Sequence, residues 1–396
     1  MKLKDMNHHD FDKGTIVIFS LIQWHFTWQS THNFASGLAK RGYRVLFIEP
    51  LPKRWPKPSE FNRVWGRISG NAEAAGMCIQ PLVSGVEIIS PRLLPDVGSL
   101  AQYFNREIFV PRIARSMHND SLKRPVVVIN YLPTKASVSL MQSLDPDVSF
   151  YYCNTDWEND PYATEVYESE MAKAVDMVWA DTPTNFNRVR KLNARVVSMP
   201  KGVDISLFAR ARKENDQISK PPLCVYFGLV SVSTDVDLLR KVSHHYRLRI
   251  IGPIRRSLHG FSDRTEIIGG VPHEEIPDRI HDADVLLLPY AVTDQNKAVM
   301  PAKLFECLAT GKPTIVHGLD YLREYSDLFY ICDDHDQFLS AIERAVNEPS
   351  ERKLPRIRLA EQNSYEKRID EIESYIAEVF SEKQTSMPTN RLLEDR

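Results

Sequence analysis

Lys303 and Glu306 stand three residues apart, so on a helix they share a face. The segment around them, Ala283–Val316, reads as a buried strand, a polar loop, a proline and then a helix stopped by Gly311 and Pro313. The N-terminus of such a helix carries partial positive charge and free backbone N–H groups. A lysine in its first turn suits phosphate, and a carboxylate one helical step on suits sugar hydroxyls. Together they would grip a nucleotide. Ala302 lends backbone to the same turn, and Tyr290, at the strand's end, is placed to pack beside the ligand. Gly228 closes another apolar strand in VYFGLVSVST, where a missing side chain lets a ligand approach the backbone from Gly228 to Val230. Ser231, Ser233 and Thr234 then precede a helix and suit capping it.

Asp156 lies in YYCNTDWEND, just past a buried strand, where open α/β sheets bind their ligands. An Asx-turn or helix cap would use it equally well, and Glu158 and Asp160 compete for any catalytic part. The segment Gln23–Asn33, QWHFTWQSTHN, offers His25, Trp28, Gln29 and His32. Aromatic faces and amides suit sugar rings. A histidine among aromatics more often simply packs.

The elements needed to hold these residues are legible. Thr15–Ile22, Val45–Glu49, Met77–Gln80, Val86–Ser90, Pro125–Tyr131, Val148–Cys153, Asp176–Ala180 and Val196–Met199 read as strands, with helical patterns between many of them. The first turn lacks G-x-G-x-x-G and is bulky and aromatic, so it cradles no dinucleotide. A second alternation runs from Leu223 to Cys332. The expected fold class is α/β, two Rossmann-like domains. The expected division is 1–204, a linker over 205–222, a second domain over 223–363, an amphipathic last helix over 364–382, and a disordered tail over 383–396.

A chain of 396 residues suits two cores rather than one. Its 26% charged residues balance to a net charge of −2, which gives no bulk affinity for nucleic acid. No apolar run is long enough to span a bilayer, and the polar N-terminus does not read as a signal peptide. The five scattered cysteines (Cys78, Cys153, Cys224, Cys307, Cys332) read as reduced core residues of a cytosolic protein.

The Ala283–Val316 segment resembles the nucleotide-sugar site of bacterial GT-B glycosyltransferases of polysaccharide assembly. The likeness is to the teichuronic-acid (TuaH-like) and xanthan glucuronosyltransferase (GumK-like) kinds, and it runs from the first strand to the last helix. The resemblance implies a UDP-sugar donor in the second domain, with the backbone near Val271 facing the base. It implies a saccharide or lipid-linked acceptor in the first domain, Asp156 as catalytic base, no metal or other cofactor, and a last helix crossing back to the first domain. Many retaining members carry a second Glu eight residues before the first; here that position is Ala298, which leaves the anomeric outcome open. A nucleotide-sugar epimerase and a non-catalytic nucleotide-sugar-binding partner are the alternatives.

Two look-alike motifs are set aside. Asp282-Ala283-Asp284 matches a metal-binding D-x-D, but spans a helix end and a strand start. Asp333-Asp334-His335-Asp336 opens a helix, where carboxylates favour the dipole. Leu51–Gly70 carries Lys53, Arg54, Lys57, Arg63 and Arg67 against Glu60, interleaved with Trp55, Phe61 and Trp65. That pattern predicts peripheral contact with an anionic membrane surface on the cytoplasmic side; a solvated loop is the plainer reading.

Overall fold

The structure is a computed structural model. It describes residues 13–25, 28–51, 82–119, 122–157, 167–213, 218–297 and 299–386, with backbone alone at Gln295, Lys297 and Ser386. The Met77–Gln80 strand, the 51–70 basic patch beyond Leu51, Cys78, Glu158, Asp160 and Ala298 fall outside the described residues.

The chain divides into two compact units. One comprises Met1–Asp181, Asn185–Met199 and Arg368–Arg396; the other comprises Thr182–Thr184 and Pro200–Lys367. The first unit holds β1 (Thr15–Phe19), β2 (Arg44–Ile48), β3 (Val86–Ile89), β4 (Val126–Asn130), β5 (Val148–Cys153), β6 (Met177–Ala180) and β7 (Val196–Ser198). They form a parallel sheet ordered β3-β2-β1-β4-β5-β6-β7. The second unit holds β8 (Leu223–Phe227), β9 (Arg247–Ile251), β10 (Thr265–Ile268), β11 (Val285–Pro289), β12 (Thr314–His317) and β13 (Tyr330–Cys332). Its parallel sheet repeats the pattern, β10-β9-β8-β11-β12-β13.

The central strands β1, β4, β5, β6, β8, β11 and β12 are buried along their whole length, which is why they read as continuous apolar runs rather than alternations, while the edge strands β7 and β10 are partly exposed. In β8, Val225 and Phe227 face one core while Cys224 and Tyr226 face the other. Strand one was expected to reach Ile22 but stops at Phe19. There the Ser20 hydroxyl bonds the Ile22 carbonyl at 2.9 Å and accepts the Ile22 N–H at 3.1 Å, folding the chain into a turn.

Two boundaries differ from expectation. The segment read as a linker, 205–222, opens with the Ile205–Ala209 helix, capped by Asp204 through the Leu207 N–H at 2.9 Å. Its Phe208 is fully buried in the core of the second unit, so apolar burial draws this stretch into that unit. The last helix runs over Tyr365–Ser386 rather than ending at residue 382, and the expected tail from Lys383 loses its first residues to it. The reason is electrostatic: Lys383 Nζ bonds the Asp147 carbonyl at 3.0 Å and the Asp176 carboxylate at 2.8 Å. From Arg368 on, this helix belongs to the first unit and packs against the Ser30–Lys40 helix there. A Cβ on Gly37 would overlap the Ile369 side chain, so the two helices meet where glycine leaves room.

Candidate functional site

The carboxyl ends of β8 and β11 and the start of the Lys303–Thr310 helix meet around one side chain. Lys303 Nζ donates to the Phe227 carbonyl at 2.8 Å. It lies 4.1 Å from the centre of the Tyr226 ring and 5.7 Å from that of Tyr290, a cation held by aromatic faces. Burial disfavours its charge, but the phenolic groups of Tyr226 and Tyr290 more than offset this and hold the ammonium's pKa above its usual value. Gly228 makes the arrangement possible. Its φ is +121°, which suits glycine, and a Cβ there would sit 2.7 Å from Lys303 Nζ. The helix begins at Lys303 after Pro301 and Ala302, and no side chain caps it. Its first-turn N–H groups are therefore left to other acceptors, although Leu304 N bonds the Pro301 carbonyl at 3.1 Å.

Glu306, one step along this helix, is bound to His273 Nε2 at 2.9 Å, and both side chains are mostly buried. Burial opposes a charge on His273, yet the Glu306 carboxylate outweighs it and raises the imidazole pKa above its usual value. His273 follows β10 in the GGVPHEE turn and packs on the Phe208 ring at 5.5 Å. Neither His273 nor Tyr226 stood out as a site residue in the sequence. The only available signal was their place at the carboxyl ends of β10 and β8. Val271 is partly buried against the same core. Val230 is fully buried; its N–H bonds the Pro253 carbonyl and its carbonyl accepts from Arg255 N, each at 2.9 Å, in a strand-like pairing. The cap of the following helix is Asp235, not the serines before it: its carboxylate accepts the Leu238 N–H at 2.9 Å.

In the first unit, Asp156 is buried, with Oδ1 3.9 Å from Arg188 Nε. Arg188 also pairs with Glu168 and donates to Cys153 Sγ at 3.0 Å. In the loop after β1, His32 is a packed core histidine. Its Nε2 bonds the Trp24 carbonyl and its Nδ1 accepts the Gln29 N–H, both at 3.1 Å, and burial lowers its pKa to about 4. Trp28 stacks on His32 with ring centres 4.9 Å apart and donates to Asn33 Oδ1 at 3.0 Å. His25 is partly exposed and Gln29 exposed.

The two motifs set aside have structural uses. Asp284 accepts from Leu223 N at 2.8 Å and Lys213 Nζ at 2.6 Å, while Asp282 pairs with Arg249 at 2.6 Å. Asp334 caps the His335–Ala345 helix through Gln337 N at 2.8 Å. Cys153, Cys224, Cys307 and Cys332 are buried free thiols. Among the described residues no helix is long and apolar enough to cross a membrane.

Residues 228–348 match the family model for glycosyl transferases group 1, a span that contains Gly228, His273, Tyr290, Lys303 and Glu306. A segment of 84 residues is 31% identical to TuaH of Bacillus subtilis (strain 168), assigned by name as a glycosyltransferase of teichuronic acid biosynthesis. That match spans 20% of this chain and 21% of the relative. Among solved structures, Anabaena Alr3699/HepE in complex with UDP and glucose superposes with a TM-score of 0.63 at 13% identity, covering 92% of this chain and 100% of that one. An Escherichia coli trehalose-6-phosphate protein bound with UDP-2-fluoro glucose gives 0.60 at 10% identity, covering 92% and 99%. WaaG, a glycosyltransferase of lipopolysaccharide biosynthesis, gives 0.59 at 12%, covering 90% and 98%. The chain has the GT-B fold. Its residues 228–348 carry the glycosyl transferases group 1 match, and the curated relative is matched over about a fifth of its length.

Proposed function

We propose that this protein moves a sugar from a nucleoside-diphosphate sugar, a UDP-sugar, to a saccharide or lipid-linked saccharide in cell-surface polysaccharide synthesis. The observation that carries the reading is Lys303. It is a cation in the first turn of an uncapped helix, inside the segment that matches a glycosyltransferase domain. In this reading the acceptor hydroxyl attacks the anomeric carbon, the bond from that carbon to the diphosphate breaks, and UDP leaves with the electron pair. Lys303 and the helix N-terminus, with Ala302 in the turn, offset the charge that grows on the diphosphate. No metal is assigned to that task. Glu306, oriented by His273, takes the ribose hydroxyls, while Tyr290, Gly228 and the backbone near Val271 flank the nucleotide.

Asp156 is the proposed base for the acceptor hydroxyl's proton. Its support is its place as the first carboxylate after β5. Its burial against Arg188 favours a second reading, a structural anchor. An Asp156→Asn variant that folds normally but loses turnover separates the two. His25, Trp28 and Gln29 are the proposed acceptor contacts, and the Leu51–Gly70 stretch the proposed contact with an anionic membrane on its cytoplasmic face. Salt-insensitive behaviour, or no co-sedimentation with anionic liposomes, removes the membrane contact.

The deciding experiment is incubation with a panel of UDP-sugars, with and without saccharide acceptors. UDP release that requires acceptor supports transfer. A chemically altered donor without acceptor supports an epimerase, and binding without turnover supports a non-catalytic partner.

A further inference from the structure

Three residues of the second unit that take no part in the proposed transfer converge at the carboxyl edge of its sheet. His317 ends β12 and is almost wholly buried. Its Nδ1 lies 3.0 Å from the Cys332 carbonyl, which only accepts, so Nδ1 donates there and Nε2 is the nitrogen turned to the cluster. Nε2 faces Asp235 Oδ2 at 3.8 Å. His335, the first residue of the His335–Ala345 helix, places its Nε2 2.8 Å from the same oxygen. The other oxygen, Oδ1, is occupied in capping the Val236–His245 helix. Helix capping thus accounts for one half of the carboxylate and leaves the other half aimed at two imidazoles.

We propose that Asp235 Oδ2, His317 Nε2 and His335 Nε2 bind a divalent transition-metal ion of the zinc type. Two imidazole nitrogens and a carboxylate oxygen turned towards one point are the donor types that a zinc-type ion takes. The three ligand atoms lie within 4.8 Å of one another. Tetrahedral zinc with bonds of about 2.0–2.1 Å separates its ligands by about 3.3 Å, so a shift on the order of 1 Å closes the site. The ion would displace the proton shared by His335 and Asp235. The His317–Cys332 bond is the outer-shell contact that fixes a metal-binding imidazole in the right tautomer. Two histidines and one carboxylate leave a coordination position for water or an anion. Asp235, His317 and His335 also line a cavity of about 900 Å³, whose wall includes Arg240, Arg256 and His259, so an anionic ligand could reach that position. The site ties together the loop after β8, the end of β12 and the helix after β13. It is independent of the transfer reading.

The test is Co(II) titration of the full chain after chelator treatment, followed by displacement with Zn(II). The expected result is one equivalent of Co(II) with a visible d–d spectrum, lost on adding Zn(II). His335→Ala comes first, because that side chain is 25% exposed and its removal spares the core. Both His335→Ala and His317→Ala should weaken uptake by at least about 100-fold, more than the loss of an outer-shell partner. Far-UV circular dichroism checks that each variant is folded. A His8→Ala, His9→Ala chain should keep the full equivalent. The proposal is overturned if the unaltered chain takes up no Co(II), or if uptake survives in folded His335→Ala or vanishes with His8 and His9.

Discussion

The two sheets share one strand order, yet the turns that leave their first strands are built oppositely. After β1, the chain turns into Trp24, Trp28 and His32, whose rings pack against each other, with Trp24 and His32 also against Phe47. Every polar atom of the His32 ring is satisfied internally. After β8, the chain turns at Gly228 with no side chain at all, and Lys303 from a later helix enters the space. One carboxyl end is lined by packed aromatic rings and the other holds a charged group beside an uncapped helix. Topology gives each sheet an equivalent first turn, and side-chain volume there decides what fills it.

The largest effect is expected where the first unit contributes chemistry. Asp156→Asn should cut turnover by about 10²–10⁴ while UDP-sugar affinity is retained, read by steady-state kinetics and calorimetry. Normal turnover in this variant would remove Asp156 as the base, and a lowered melting temperature with unchanged turnover would make it an anchor.

The packed aromatic turn predicts a pH dependence. The folded pKa of His32, about 4, lies below its unfolded value of 6.5, so the unfolded chain binds a proton that the native packing excludes. Its contribution is present above pH 6.5 and is lost as pH falls towards 4, amounting to about 3 kcal/mol. Urea unfolding of the wild type and His32→Gln at pH 7 and 4.5 isolates this term. Equal pH slopes in the two proteins would contradict it.

At the glycine turn, Lys303→Ala should weaken UDP binding by about 1.5–3 kcal/mol, the scale of a charge-assisted hydrogen bond. Unchanged affinity by calorimetry would sink the assignment. The smallest effect belongs to Glu306→Gln, about 1 kcal/mol of UDP affinity, because an amide still accepts one hydroxyl. The same change should lower the His273 pKa, since the partner that raises it is gone while burial remains. In the wild type the raised pKa means that this pair stabilises the fold below the unfolded pKa. That contribution is lost as pH rises through the folded value. An NMR titration of His273 that does not move in Glu306→Gln would show that the pair is not the cause.

Local sequence determined the strands. β5 runs over the residues that its apolar run alone indicates, and most other strands agree within one or two residues, because central parallel strands buried on both faces must be apolar throughout. It also determined the helix that carries Lys303 and Glu306, through Pro301 before it and Gly311, at φ +71°, after it. What it could not determine were contacts between residues far apart in the chain. Tyr226 under Lys303, His273 on Glu306 and the meeting of Asp235, His317 and His335 are separated by tens of residues. The assignment of Phe208 to the second unit and the extension of the last helix through Lys383 depend on partners equally distant. Periodicity and breaker residues report only on a few turns of backbone. Ion pairs, ring stacking and burial are set when the crossovers of a parallel sheet bring strand ends together, and only the folded chain does that.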